Sequence, residues 1–196
     1  MILLKILLFK PFERYSEKTL LLVGAIFTLI GSFLAYTFSF RFDGVIDLHL
    51  ALNVMLYQTL LDNLINIFCL VLFLYVSAKY INKKTRLIDI LTTAVVARIP
   101  LYLLPVFNIN GVFGKATEDI IQYANPELIN QISFSNLFLI IVFAIIAILF
   151  LVWYVALLFN GFKVASNAKG IVPIILFSIS LLFAEILSKF LIIQFN

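Results

Sequence analysis

The sequence has one cysteine, Cys69, and one histidine, His49, among its 196 residues. A single cysteine excludes an intrachain disulfide and any metal site built on paired thiolates. Asp43, Asp47 and His49 are the only grouping that suggests metal ligands, and no second dense cluster completes it. With one histidine, no nucleophile–base pair emerges; Ser166 has no partner in the sequence. No glycine-rich phosphate loop is present. The residues therefore propose no catalytic site, no metal and no cofactor. Charge is scarce too, at 12% of residues. A soluble domain of this size could not cover its surface with so little.

What is present is apolar: 64% of residues are hydrophobic and the mean hydropathy is +1.15. Long apolar runs recur along the whole chain, so most of its surroundings are lipid rather than water. A hydrocarbon core needs about 20 apolar residues per helix. Five stretches qualify: 19–39, 62–81, 89–107, 135–159 and 172–193. The expected fold is all-α, a single polytopic helix bundle of five transmembrane helices with short interfacial helices. Residues 1–18 read as a cytoplasmic interfacial segment, with residues 1–9 a short helix presenting Lys5 and Lys10 to headgroups.

Lysine and arginine set the orientation. One side collects Lys5, Lys10, Arg14, Lys18, Lys79, Lys83, Lys84, Arg86, Lys163 and Lys169. The other holds Arg41, Lys115 and Lys189. The N-terminus is expected in the cytoplasm and the C-terminus outside. The +4 net charge reflects this bias and gives no reason to invoke nucleic acid.

Two segments are neither span nor simple loop. Residues 42–61 mix apolar positions with Asp43, Asp47, His49 and Asn53. They are expected to form an amphipathic helix on the outer face, helical over 45–60, with Ile46, Leu50 and Leu56 turned to lipid or bundle. Residues 108–134 make a polar outer connection, with turns at Asn110-Gly111 and near Asn125-Pro126 and room for a short helix between.

Several positions stand out within the spans. Gly24, Thr28, Gly31 and Ala35 fall on one helical face, where small residues let backbones approach. That face serves either packing inside the bundle or a dimer. Arg98 lies about 14 Å along a helix begun at Asp89, near the bilayer midplane. Insertion there costs roughly 2.5–3.5 kcal/mol, so the side chain must face the bundle or a wet cleft. Glu185 is the one acid deep in another span, offset from Arg98 by roughly 8 Å along the membrane normal. Lys189 competes for it one turn away. The pair reads either as a polar site on an ion path or as a buried pair that docks two spans. Pro100 cannot donate to the carbonyl of Val96, so the third span should kink beside Arg98, whose guanidinium could meet freed carbonyls. Trp153 and Tyr154 are expected near the cytoplasmic interface, and Asn160-Gly161 to end the fourth helix. Pro173 suits the first turn of the fifth.

The basic loop "NKKTRLIDIL", the small residues before a proline in "TTAVVARIP", the Trp-bearing "FLVWYVALLFNGF" and the turn "VASNAKG" together resemble the YIP family, the Ypt/Rab-GTPase-interacting proteins. The likeness is to its bacterial members and covers roughly residues 60–195. It implies a non-enzymatic multispan protein of the bacterial inner membrane, acting through membrane partners or membrane organisation. The long soluble N-terminal region of eukaryotic members is missing, so GTPase binding is not implied. The chain's partners would be the lipid bilayer and a membrane protein or a second copy. A transporter or channel subunit with its polar site at Arg98 and Glu185 is the alternative, and an intramembrane lipid-modifying enzyme a third.

Overall fold

The computed structural model describes residues 8–51, 53–123 and 133–195. A single 3-10 turn, Pro11–Glu13, precedes α1 (Glu17–Thr37). A minimal hairpin follows, β1 (Phe40–Arg41) pairing antiparallel with β2 (His49–Leu50). Then come α2 (Leu56–Ile81), α3 (Leu87–Ala97), the short α4 (Ile99–Leu103), a 3-10 stretch Leu104–Gly111, α5 (Val112–Gln122), α6 (Phe134–Ser166) and α7 (Val172–Phe195). Among the described residues five helical stretches are long and apolar enough to cross a membrane, α3 through α5 counting as one. The protein is an all-α bundle of membrane-spanning helices.

Local signals set several ends. Ser16 caps α1 by accepting from the Thr19 amide at 3.3 Å. Gln58 reaches back to the Met55 amide at 3.0 Å to open α2. Asn110 and Gly111 both take positive φ, the left-handed turn expected of an Asn-Gly pair. The side chain of Asn108 then accepts from the Phe113 amide at 2.9 Å and starts α5. The Asn125-Pro126 turn falls outside the described residues, as does most of the N-terminal 1–9 helix.

The bundle is built around α3 and α4. In that span 72% of the most apolar window is buried, against 6% in α6. α1 packs on α3 and α4, α6 packs on the other side of α3, and α2 packs chiefly on α7. The backbones of α6 and α7 approach at few points, and Phe177 joins them by packing on Phe159 and Phe162. An apolar helix as bare as α6 is untenable in water and ordinary in lipid, where its exposed Ile145, Leu149 and Val152 meet acyl chains. Its 33 residues span about 50 Å, well beyond a hydrocarbon core of about 30 Å.

Two expectations are corrected by α6. It does not end at Asn160-Gly161 but runs to Ser166, closed by Asn167 at φ 50°. Gly161 is instead a packing glycine, because a Cβ there would meet Thr93 and Phe12. Tyr154 is also not interfacial. It is fully buried, while Trp153 donates to the Leu8 carbonyl at 2.7 Å and pins the N-terminal segment to α6.

The largest correction concerns residues 42–61. They are not a surface helix before Leu56. From the positive-φ residue Ser39 to Ala51 the backbone is an irregular hairpin that enters the bundle. Phe40, Phe42 and Val45 are essentially without solvent contact. Burial of Phe40 and Phe42, two apart, belongs to extended chain, not to a helix. Extended backbone also leaves carbonyls free for neighbours. The Phe42 carbonyl takes Asn66 at 2.8 Å and the Val45 carbonyl takes Arg98 at 3.0 Å. In a helix those oxygens would have been turned along the axis to their own fourth neighbours.

Candidate functional site: a sealed polar centre at Arg98

Arg98 sits at the break between α3 and α4. Pro100 supplies no amide, and the Arg98 amide leans back on the Val96 carbonyl. The side chain is 0% exposed. Nε donates to the Tyr102 hydroxyl at 3.3 Å, Nη1 to the Val45 carbonyl at 3.0 Å and Nη2 to Asn63 Oδ1 at 3.1 Å. The guanidinium also lies 5.5 Å from the ring centre of Phe42 and 5.6 Å from that of Tyr102. The freed carbonyls of its own helix are not its partners.

A closed ring of polar groups surrounds it. Asn63 Nδ2 donates to Ser32 Oγ at 2.8 Å, and Ser32 Oγ donates to the Thr28 carbonyl at 2.8 Å. The Thr28 hydroxyl bonds that of Tyr102 at 3.3 Å, which returns to Arg98. Thr59 donates to the Ser32 carbonyl at 2.9 Å. Burying a cation among such groups is tolerable because each has a partner.

Glu185 does not touch Arg98. Its carboxylate accepts from the Ile46 amide at 2.9 Å and pairs with Lys189 at 3.3 Å. The Val45 carbonyl and the Ile46 amide belong to one peptide group. Arg98 and Glu185 therefore bind opposite ends of a single peptide bond, whose dipole both charges favour. Gly44 lets the chain pass so close, since a Cβ there would collide with the Glu185 carboxylate. The expected direct pair is replaced by a bridged one because the inserted hairpin occupies the gap between α3 and α7.

The same hairpin is fixed by charge at its margins. Arg41 grips Asp62 with Nε at 2.9 Å and Nη2 at 2.7 Å, a bidentate fork. Lys189 reaches Asp47 at 2.7 Å. His49 Nδ1 is 2.8 Å from Asp43. The Asp43 bond holds His49 above its ordinary range, against partial burial. Burial pushes Asp43 upward, but His49, Arg41 and Lys189 outweigh it and the net shift is down. Asp43 and His49 are thus a hydrogen-bonded pair, and Asp47 faces elsewhere. Among the described residues no three metal-ligating side chains converge.

Gly24, Thr28, Gly31 and Ala35 line the buried face of α1 inside the chain's own bundle. Gly24 abuts Val95 and Gly31 abuts the Tyr102 ring, too closely for a Cβ at either. Thr28 links the stripe to the polar ring.

A separate cavity of about 310 Å³ opens at the basic end, lined by Tyr15, Glu17, Arg86, Asp89, Thr92 and Gly161 among others. Arg86 bonds both Glu17 and Asp89 at its mouth. Thr92 Oγ1 is buried there with no hydrogen-bond partner. Buried Val95, Val96 and Ala97 stand between this cavity and Arg98 in the sequence of α3, with Gly24 packed on Val95.

Asp62, Asn63, Asn66, Ser32 and Thr59 escaped the sequence reading. Thr59, Asp62, Asn63 and Asn66 recur at helical spacing on one face of an otherwise apolar span, and that period was the available signal.

No family model, curated protein or solved structure matches this chain.

Proposed function

We propose that the chain is a non-enzymatic membrane scaffold or adaptor of YIP type, set in a bacterial inner membrane with its N-terminus in the cytoplasm and its C-terminus outside. The family rests on the resemblance of residues 60–195, and the orientation on the lysine and arginine bias. The observation that carries the reading is the closure of the polar centre. Arg98 is a permanent charge with no solvent contact, and its donors reach this chain's own Val45, Asn63 and Tyr102. A site that binds a passing solute needs donors aimed at open space. Here the polar groups hold an inserted hairpin in place, which suits a rigid body that presents surfaces to lipid and to other membrane proteins.

The transporter alternative keeps one observation in its favour. The element that closes the centre is a hairpin, not a helix, and a displaced hairpin would bare Arg98, Asn63, Asn66 and Glu185 to water.

Thiol labelling separates the two. In a Cys69→Ala background, Val45→Cys places a small thiol beside the Arg98 partner. The scaffold reading expects a membrane-impermeant thiosulfonate to leave it unlabelled in sealed membranes from either side, while denatured protein labels fully. Labelling at a rate near that of an exposed control, Ile46→Cys, would move the assignment to transport. Reporter fusions at Lys84 and Asn196 test the orientation and should report opposite sides.

A further inference from the structure

The backbones of α6 and α7 approach at few points, and beside the place where Phe177 packs on Phe159 and Phe162 they leave a cleft open to the lipid. Two cavities lie in it end to end. One, of about 540 Å³, is almost wholly apolar, running from Leu151 to Phe159 on α6 against Ile174 and Phe177 on α7. The other, of about 300 Å³, adjoins it at the basic end and is lined by Lys163, Lys169, Gly170 and Pro173. Phe159 and Ile174 line both. The two cavities adjoin at these residues, where the Phe159 ring packs on Phe177 at 5.1 Å, and together they line a groove that is greasy along about 12 Å of helix and cationic at its mouth.

The two lysines are free to take an anion. Both are exposed, and among the described residues neither has a carboxylate within ion-pair distance. Lys163 Nζ rests 5.7 Å from the Phe159 ring centre, at the junction of the two parts. The other cations with described contacts at this end are engaged differently: Arg86 with two carboxylates, Lys10 with Glu13, and Lys79 with the Lys83 carbonyl.

We infer that this groove binds one anionic glycerophospholipid, with an acyl chain between α6 and α7 and the phosphate held by Lys163 and Lys169. Basic pockets between transmembrane helices at headgroup depth select anionic lipids. The order of the two parts matches a lipid's own order from tail to phosphate. A partner helix would fill the apolar part but would leave both lysines unmet. This inference rests on the α6–α7 surface and is independent of whether the protein is a scaffold or a transporter.

Native mass spectrometry of the full chain, released from nanodiscs holding equal phosphatidylglycerol and phosphatidylcholine, tests it. One phosphatidylglycerol should be retained with at least fivefold preference. Lys163→Gln with Lys169→Gln should abolish the preference. Lys83→Gln with Lys84→Gln removes the same charge at the same end and should leave it intact. Ala156→Trp fills the exposed apolar groove and should expel the lipid while the protein keeps its melting temperature; this variant decides the matter if the lysine pair fails to fold. Equal retention of both lipids overturns the inference. So does a loss of preference in the Lys83/Lys84 variant equal to that in Lys163/Lys169. Displacement by millimolar inorganic phosphate would mean a free-phosphate site and overturn it. A dimer lost on Ala156→Trp would mean that a second copy fills the groove, with the same consequence.

Discussion

Arg98 and Glu185 are joined through one peptide bond: Nη1 of Arg98 donates to the Val45 carbonyl, and the adjoining Ile46 amide donates to Glu185 Oε2. The two charges are thereby held on the order of 8 Å apart, by the lengths of two hydrogen bonds and a peptide group. Their energetics should differ from those of a contact pair. Arg98→Leu leaves the Val45 carbonyl and the Asn63 amide oxygen unmet in a buried site and should cost about 3 kcal/mol. Glu185→Gln keeps an acceptor for Ile46 and should cost about 1 kcal/mol. A double-mutant cycle in detergent unfolding should give a coupling energy of about 1 kcal/mol or less. A coupling of roughly 3 kcal/mol or more, the cost of breaking a direct buried pair, would contradict the bridged geometry.

The approach of α1 to α3 and α4 depends on two glycines. Gly31→Ala puts a methyl into the Tyr102 ring, and Tyr102 is held by Arg98 and Thr28. Overpacking at such a site costs about 1–3 kcal/mol. Gly114→Ala has open space around its Cβ and should not lower stability. Thermal melting of the two variants checks this, and equal losses would count against close packing at Gly31.

The fully buried Tyr154 hydroxyl lies near enough to Arg98 to feel its charge, yet no group meets it in hydrogen-bond geometry. An unsatisfied buried polar group is a burden on the folded state. Tyr154→Phe should leave the melting temperature unchanged or raise it. A fall equivalent to about 1 kcal/mol or more would mean that the hydroxyl is engaged with Arg98 in the folded protein.

His49 is the single histidine, so its imidazole signal can be followed alone by NMR. Hydrogen bonding to Asp43 raises its pKa above the ordinary 6.5, with Asp47 adding to the shift while burial and Arg41 oppose it. That support of the hairpin is fully present below pH 6.5 and is lost as pH rises through the folded value. Asp43 is lowered below its ordinary 3.8, so its share is present above that pH and is lost as acid reaches the folded value. Both are intact between about pH 4 and 6.5. The titration midpoint should lie above 6.5 in the wild type and fall on Asp43→Asn. A midpoint that ignores this substitution would rule out the pair.

The spans were legible because about 20 apolar residues in a row have few other readings, and Arg98, Glu185 and Pro100 were legible because each is costly where it stands. The hairpin was not. Residues 42–61 mix apolar and acidic side chains in a way that a surface helix also satisfies, and nothing local says that Phe40, Phe42 and Val45 turn inward. That choice is made by Asn66 and Arg98, distant in sequence, which need the carbonyls of Phe42 and Val45. Tyr154 was misplaced for a related reason: aromatic residues favour interfaces on average, but here α6 runs past its expected end and carries Tyr154 inward.

Amide hydrogen exchange over residues 40–50, measured in nanodiscs, tests the sealed centre most directly. Exchange of the Phe42–Ile46 stretch should be slow in the wild type, comparable with the core of α3, and should accelerate at least tenfold in Arg98→Leu. Fast exchange in the wild type, at the rate of an open loop, would show that the hairpin does not close the bundle and would contradict the account.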